Sequence, residues 1–355
     1  MSQKIMLALI CLMTFVFSDS VLLEAKKGTK KNIVILTTGG AISGTQIDTM
    51  SGEFELSSAG ADILAARTLE VKQLANVSYE EMFNVPSQEM SDIRRVKLAK
   101  KVSELAKKDN VDAIIVTHGT DTIEETAYFL HLTVNTEKPI VFTGAIRASL
   151  HPSSDTVQNL MDAVRVAIHK ESTKKGVLVV MNNTIISARQ VQKNNTFHLQ
   201  AIGGTGIGVM GYVYNEVVDF HVMSTKIHTK SSEFNIDNIQ ELPNVDIVYA
   251  FADSGKVNVK EKQKGVVLAG VGLGNINRDG LSQLRFFGKK GVQVVRSSRI
   301  QGEAVYRAKA SEVDDKKYGF VASGNLNPQK ARILLKLALT KTTDPERIQY
   351  YFNTY

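Results

Sequence analysis

Two turns in the sequence gather hydroxyls, a carboxylate and open backbone amides within reach of a small polar ligand. The first, Thr38-Gly39-Gly40-Ala41-Ile42-Ser43-Gly44, has paired glycines that let the backbone turn tightly and offer its N–H groups. The second, Thr117-His118-Gly119-Thr120-Asp121-Thr122-Ile123-Glu124-Glu125-Thr126-Ala127, sets hydroxyls and a carboxylate at the start of a helix. A hydroxyl beside a carboxylate suits an amino-acid ligand. Simpler readings fit the same residues. Gly39-Gly40 serves equally well as a plain strand-to-helix turn. Thr120 or Thr122 can cap a helix whose first turn Glu124 or Glu125 favours by charge. His118, with no acid or nucleophile implied beside it, reads as a buried, hydrogen-bonded turn residue.

Both turns need rigid elements in front of them, and the chain supplies short apolar runs of strand length. Asn32 to Leu36 leads into the first turn, and Ala113 to Val116 into the second. Further runs follow at Pro139 to Phe142 and Gly176 to Val180, each too short for a helix and rich in β-branched residues. Helical spacing of Ile93, Val96, Ala99, Val102 and Leu105, and the stretch Ile123 to Leu132, fall between them. Strand and helix alternate, which predicts an α/β fold with a parallel, helix-covered sheet whose ligands sit beyond the carboxyl ends of its strands. A polar stretch over 224–244 reads as a linker. A second strand-helix series then opens at Val245 to Tyr249 and continues through Gly265 to Leu268 and Gly291 to Val295. The predicted layout is a larger amino-terminal domain over 21–223 and a smaller α/β domain over 245–355.

The first residues carry Lys4, an apolar run from Ile5 to Phe17 and the small polar cluster Ser18-Asp19-Ser20. That pattern reads as a secretory signal peptide cleaved after Ser20, and the run is shorter than the roughly 20 residues that span a bilayer. A secreted or periplasmic protein is expected, with no membrane association after cleavage. The single cysteine, Cys11, lies in this segment, so the mature chain is expected to hold together by burial without disulfides. Asn76, Asn182 and Asn194 open Asn-x-Ser/Thr sequons, which matter only in a host that glycosylates exports. The formal charge of +7 is carried by lysines scattered through helical stretches, without the aromatic and basic alternation of a nucleic-acid surface.

The two turns together resemble the paired signatures of the type II, periplasmic L-asparaginase and glutaminase-asparaginase family. The resemblance extends through Ser87-Gln88-Glu89-Met90, Gly144-Ala145-Ile146-Arg147, Val179-Val180-Met181-Asn182, Glu312-Val313-Asp314-Asp315, the stretch Tyr318 to Gly324 and the tail Leu326 to Arg332. It implies hydrolysis of asparagine to aspartate and ammonia, in some members also of glutamine, with no metal or organic cofactor. A hydroxyl must be activated before it attacks an amide carbon. The resemblance assigns that chemistry to Thr120, Asp121 and Lys193, a lysine base oriented by an aspartate. Ser87 and Gln88 match the positions that hold the substrate's carboxylate and amino group, and Asp121 shares in binding it. Glu312 matches an acid that arrives from a neighbouring subunit, which implies a homo-oligomer, by family habit a dimer of dimers.

Three departures weigh against full activity. The first signature carries a nucleophilic threonine where this chain has Ala41. The loop tyrosine that assists it aligns with Phe54, and an asparagine that helps bind substrate aligns with Leu273. Alanine forms no acyl intermediate, and losing a nucleophile that acts as a unit with its base costs several orders of magnitude. Two functions stay open: an impaired or inactive amidohydrolase, rescued if at all by Thr120, Thr38 or Ser43, and a non-catalytic amino-acid-binding or extracellular structural protein on the same fold.

Overall fold

The computed structural model of the protein describes residues 29–46, 54–56, 60–205, 208–255, 257, 259, 262–300, 302, 304–307 and 313–355, with Gln46 and Phe54 described through their backbone. The expected signal peptide and Glu312 lie outside the described residues. Strands in chain order are β1 Asn32–Thr37, β2 Gly44–Gln46, β3 Phe54–Leu56, β4 Asn76–Glu81, β5 Ala113–Thr117, β6 Ile140–Thr143, β7 Val177–Met181 and β8 Thr184–Ser187. They continue as β9 Val191–Lys193, β10 Ile202–Gly204, β11 Gly211–Tyr214, β12 Val217–Phe220, β13 Val245–Tyr249, β14 Gly265–Gly270, β15 Gln293–Ser298 and β16 Val321–Ala322. Helices are α1 Gly60–Arg67, α2 Val71–Leu74, α3 Asp92–Ala106, α4 Ile123–Thr133, α5 Thr156–Ile168, α6 Arg278–Lys289, α7 Asp315–Tyr318, α8 Pro328–Leu339 and α9 Pro345–Thr354.

The larger sheet runs β12-β11-β8-β7-β6-β5-β1-β4. Its centre is parallel, and β5, β6 and β7 are buried along their whole length. Continuous Val and Ile runs are what a strand covered on both faces requires. One edge turns antiparallel through β8, β11 and β12, and the other ends on β4. The chain leaves β1 toward β4 on one side and returns as β5 on the other. The ends of β1 and β5 therefore flank a topological switch point, the place where such sheets leave a crevice. Register aligns Thr37 with Thr117 and Thr117 with Thr143, so the turns following β1, β5 and β6 emerge side by side.

Helix α3 starts at Ser91, whose hydroxyl accepts from Arg94 N at 3.4 Å, and buries Val96, Ala99, Val102 and Leu105. Ile93 departs from the sequence expectation and is 82% exposed. In that first turn the buried side chain is Arg95, paired with Asp92 at 2.7 Å and Glu125 at 3.4 Å.

The smaller sheet, β13-β14-β15-β16, is parallel throughout. Helix α8 begins at Asn327, which accepts from Lys330 N, and has proline in its first turn. It is buried on most sides because it lies against α4 and against β13 and β14. Residues 31–355 form one compact unit with a core cluster that includes residues under both sheets. The stretch 224–244 is polar in composition yet well packed. Phe234 is buried with its ring 5.0 Å from Tyr351 and 5.1 Å from Tyr355, and Ile236, Ile239 and Leu242 join the same cluster.

Candidate functional site

Beyond the ends of β1, β5 and β6 a cavity of about 290 Å³ opens, walled by Gly40, Ala41, Ser87, Gln88, Gly119, Thr120, Asp121, Lys193 and their neighbours. The close approach of the two turns depends on glycine. Gly40 has φ +84°, and a Cβ there would lie 2.5 Å from Gly119 Cα. Ser87 is brought in by a 3-10 turn after Pro86, and its carbonyl oxygen accepts from the Thr122 hydroxyl at 2.7 Å. Thr122 thereby ties the second turn to Ser87 rather than capping α4. Ala145 and Ile146 complete the wall. Their loop is fixed by Asp155, which accepts from Ile146 N and Arg147 N at about 3.0 Å, and by Asn159, which donates to Gly144 O at 2.9 Å.

The polar heart of the cavity is a triangle. Lys193 Nζ donates to Thr120 Oγ1 at 2.9 Å and to Asp121 Oδ1 at 2.5 Å. Asp121 is largely exposed, so the ion pair gives orientation more than stability. Lys193 ends β9, and the rear of that strand is held across the molecule. Lys330 of α8 donates to Arg189 O at 3.0 Å and to Val191 O, and burial brings its ammonium down to about 8. Glu124 is buried beside it and accepts from Asn327 Nδ2 at 3.0 Å; burial raises its carboxyl above the usual range.

The sequence-derived candidates divide in three. Ala41, Ser87, Gln88, Thr120, Asp121 and Lys193 meet in one cavity. Phe54 begins β3, paired with β2 directly after the first turn. Leu273 is 60% exposed on the turn after β14 and does not line the cavity, and Glu312 lies outside the described residues. Of the other hydroxyls near the first turn, Thr38 donates to Thr117 O at 2.8 Å. Ser43 is buried against Gly60 of α1 without a hydrogen-bond partner among the described residues. Neither lines the cavity. Ala145, Ile146 and Thr196 do, and sequence reasoning missed them as site residues. Ala145 and Ile146 follow a strand directly, so the strand-end rule that singled out the two turns applies to them as well.

His118 is fully buried, with Nδ1 2.7 Å from Gly119 O. Burial, opposed by that hydrogen bond and aided by the Arg95 charge, lowers its pKa from 6.5 to about 4. The folded protein therefore holds a neutral imidazole where the unfolded chain takes up a proton. Stability from His118 is fully present above pH 6.5 and is lost as the pH falls toward 4. At about 1.4 kcal/mol per pH unit of separation, the loss is roughly 3 kcal/mol. Urea midpoints measured between pH 7 and 4 should fall, and His118→Gln should flatten that slope. His131, buried and lowered in the same direction, leaves a residue of it. An unchanged slope in His118→Gln would contradict the assignment.

The asparaginase N-terminal family profile matches residues 32–226, and the glutaminase/asparaginase C-terminal domain matches 244–352. A Haemophilus influenzae protein described as a probable periplasmic L-asparaginase is 43% identical over 328 residues, covering 91% of this chain and 93% of that protein. Glutaminase-asparaginase of Acinetobacter glutaminasificans is 40% identical over 338 residues, 92% of this chain and 100% of that protein. The crystal structure of a probable cytoplasmic L-asparaginase from Campylobacter jejuni superposes with TM-score 0.82 at 39% identity, covering 92% of this chain and 100% of that one.

Proposed function

Because the chain belongs to the asparaginase and glutaminase-asparaginase family, we propose that it is an exported amidohydrolase relative that binds asparagine or aspartate and turns over poorly or not at all. The observation that carries this reading is Ala41. Its methyl group stands in the wall of a cavity that Thr120, Asp121, Lys193, Ser87 and Gln88 otherwise furnish with hydroxyl, carboxylate, ammonium and amide. A ligand α-carboxylate and amino group have partners there, while attack on a side-chain amide lacks the hydroxyl that the family's first signature provides. Phe54 adds to the loss by removing the phenol that would relay the proton.

Leu273 aligns with a family asparagine that contacts substrate; it stands outside this chain's own cavity, so that contact belongs to a neighbouring subunit's site, and its loss is expected to weaken affinity by about 1 kcal/mol, the usual net worth of a hydrogen bond. Glu312, supplied by a neighbouring subunit, completes amino-group recognition and makes the functional unit a homo-oligomer, a dimer of dimers. The domain division at 21–223 and 245–355, joined by 224–244, draws on the separate parallel sheet that begins with β13 at Val245. Export rests on the leader pattern of residues 1–20; the relatives named above carry both periplasmic and cytoplasmic descriptions.

A second reading, residual hydrolysis through Thr120, draws on the 2.9 Å contact of its hydroxyl with Lys193. Thr38 and Ser43 have no comparable support. Calorimetric titration with aspartate and asparagine beside an ammonia assay separates the readings. Saturable heat with background ammonia is the expected result. Robust ammonia release that vanishes in Thr120→Ala would overturn the impaired reading, and no heat at millimolar ligand with folded protein would favour a purely structural role.

A further inference from the structure

A larger cavity, about 440 Å³, shares no lining residue with the one described above. Its walls include Arg189, Lys226, Arg307, Gln349, Tyr306 and Phe352, and a smaller space of about 50 Å³ shares Arg189 and Lys226 with it. The three cations are not equally compensated. Arg307 is met by both oxygens of Glu346, at 2.7 and 2.9 Å, and is neutralised. Arg189 is 3% exposed, yet its Nε donates to a main-chain oxygen, that of Tyr355, at 3.0 Å. Lys226 Nζ likewise donates to a main-chain oxygen, that of Asn353, at 2.5 Å. Among the described residues no aspartate or glutamate forms an ion pair with either one.

Buried Arg189 and half-buried Lys226 thus face the cavity with no aspartate or glutamate beside them, and a cation drawn out of water costs free energy unless something anionic shares the space. Burial, and then the Arg189 charge, lower the Lys226 ammonium. A terminal carboxylate on Tyr355 would offset Arg189 and still leave Lys226 to make the cavity cationic. We propose that this cavity is a second ligand site, for a small organic polycarboxylate whose carboxylates meet Arg189 and Lys226 while its body lies against Phe352 and the amide of Gln349. The planar Arg189 guanidinium suits a carboxylate. The volume and the apolar wall of Phe352, Val305 and Ala322 exceed what a bare inorganic anion fills. Arg189 also leads directly into β9, four residues before Lys193, so an occupant there touches the strand that carries the first site's lysine.

Calorimetric titration of the full chain with citrate, inorganic phosphate and the neutral tricarballylamide tests this. Citrate should bind at sub-millimolar concentration, and tricarballylamide should give no heat. Lys226→Met should weaken citrate at least about tenfold, as loss of one charge-assisted hydrogen bond implies, and Lys226→Arg should keep it. Asp121→Asn, in the other cavity, should leave citrate binding unchanged. Unaltered melting temperatures would exclude misfolding of the Lys226 variants. The proposal is overturned by absence of citrate binding to folded protein, by phosphate binding as tightly as citrate, by equal binding in Lys226→Met, or by loss of binding in Asp121→Asn.

Discussion

A chain carrying Ala41→Thr together with Phe54→Tyr is expected to release ammonia from asparagine about a thousandfold faster than the unaltered protein, or more, while each single change recovers little. The reasoning is that of a unit whose members act together: a nucleophile without its relay, or a relay with nothing to activate, gives only a fraction of the pair's effect. The structure favours recovery because the remaining parts are in position. Ala41 lines the same cavity as Thr120, Asp121 and Lys193. The strand that Phe54 opens is paired, through Gln46, with the segment leaving the first turn. A coupled ammonia assay on the four proteins measures the interaction term, and adding Leu273→Asn should improve the double variant at low substrate. Gains that simply multiply, or a double variant as silent as its parent, would sink the idea.

The largest expected effect on stability comes from Arg296 and Asp315. Both are about 1% exposed and meet through two hydrogen bonds of 2.6 Å, from Nε to Oδ1 and from Nη2 to Oδ2. Arg296 also donates to the carbonyl oxygens of Leu273 at 2.8 Å and Gly274 at 3.2 Å, fixing the turn after β14. Asp315→Asn keeps the shape and strands a buried guanidinium, which should cost about 3–5 kcal/mol in urea denaturation. Replacing both partners, as in Arg296→Met with Asp315→Leu, should return much of that loss because no uncompensated charge remains. An Asp315→Asn protein within about 1 kcal/mol of its parent would mean that water or rearrangement relieves the charge.

The sequence made the central strands legible because burial on both faces demands unbroken apolar runs. Residues 113–116, 245–249 and 265–268 fall within β5, β13 and β14. The edges were not legible for the opposite reason. β4, Asn-Val-Ser-Tyr-Glu-Glu, is half exposed, and β11 and β12 are four-residue strands at the antiparallel edge. The polar stretch 224–244 concealed its packing because a few residues, Phe234, Ile236, Ile239 and Leu242 among them, anchor it at irregular spacing. The meeting of the two turns could be anticipated from strand ends and motif. The hold of Lys330 on the main chain of Val191, at the start of the strand that ends in Lys193, could not, since their 139-residue separation is bridged in the fold with α8 packed on α4.

The row formed by Thr37, Thr117 and Thr143 at the strand ends bears on how such a chain changes over time. What shapes the cavity is sheet register, the Gly40 and Gly119 approach, and loops tied by the Asp155 carboxylate and the Thr122 hydroxyl. The side chain at position 41 contributes almost nothing to that mould. A lineage can therefore shed or reacquire the reaction through exchanges such as alanine for threonine and phenylalanine for tyrosine, each one base apart in the genetic code, without passing through a misfolded ancestor. In such a mould architecture and reactivity can change separately, and a chain that loses the reaction by these exchanges stays one short mutational path from one that performs it.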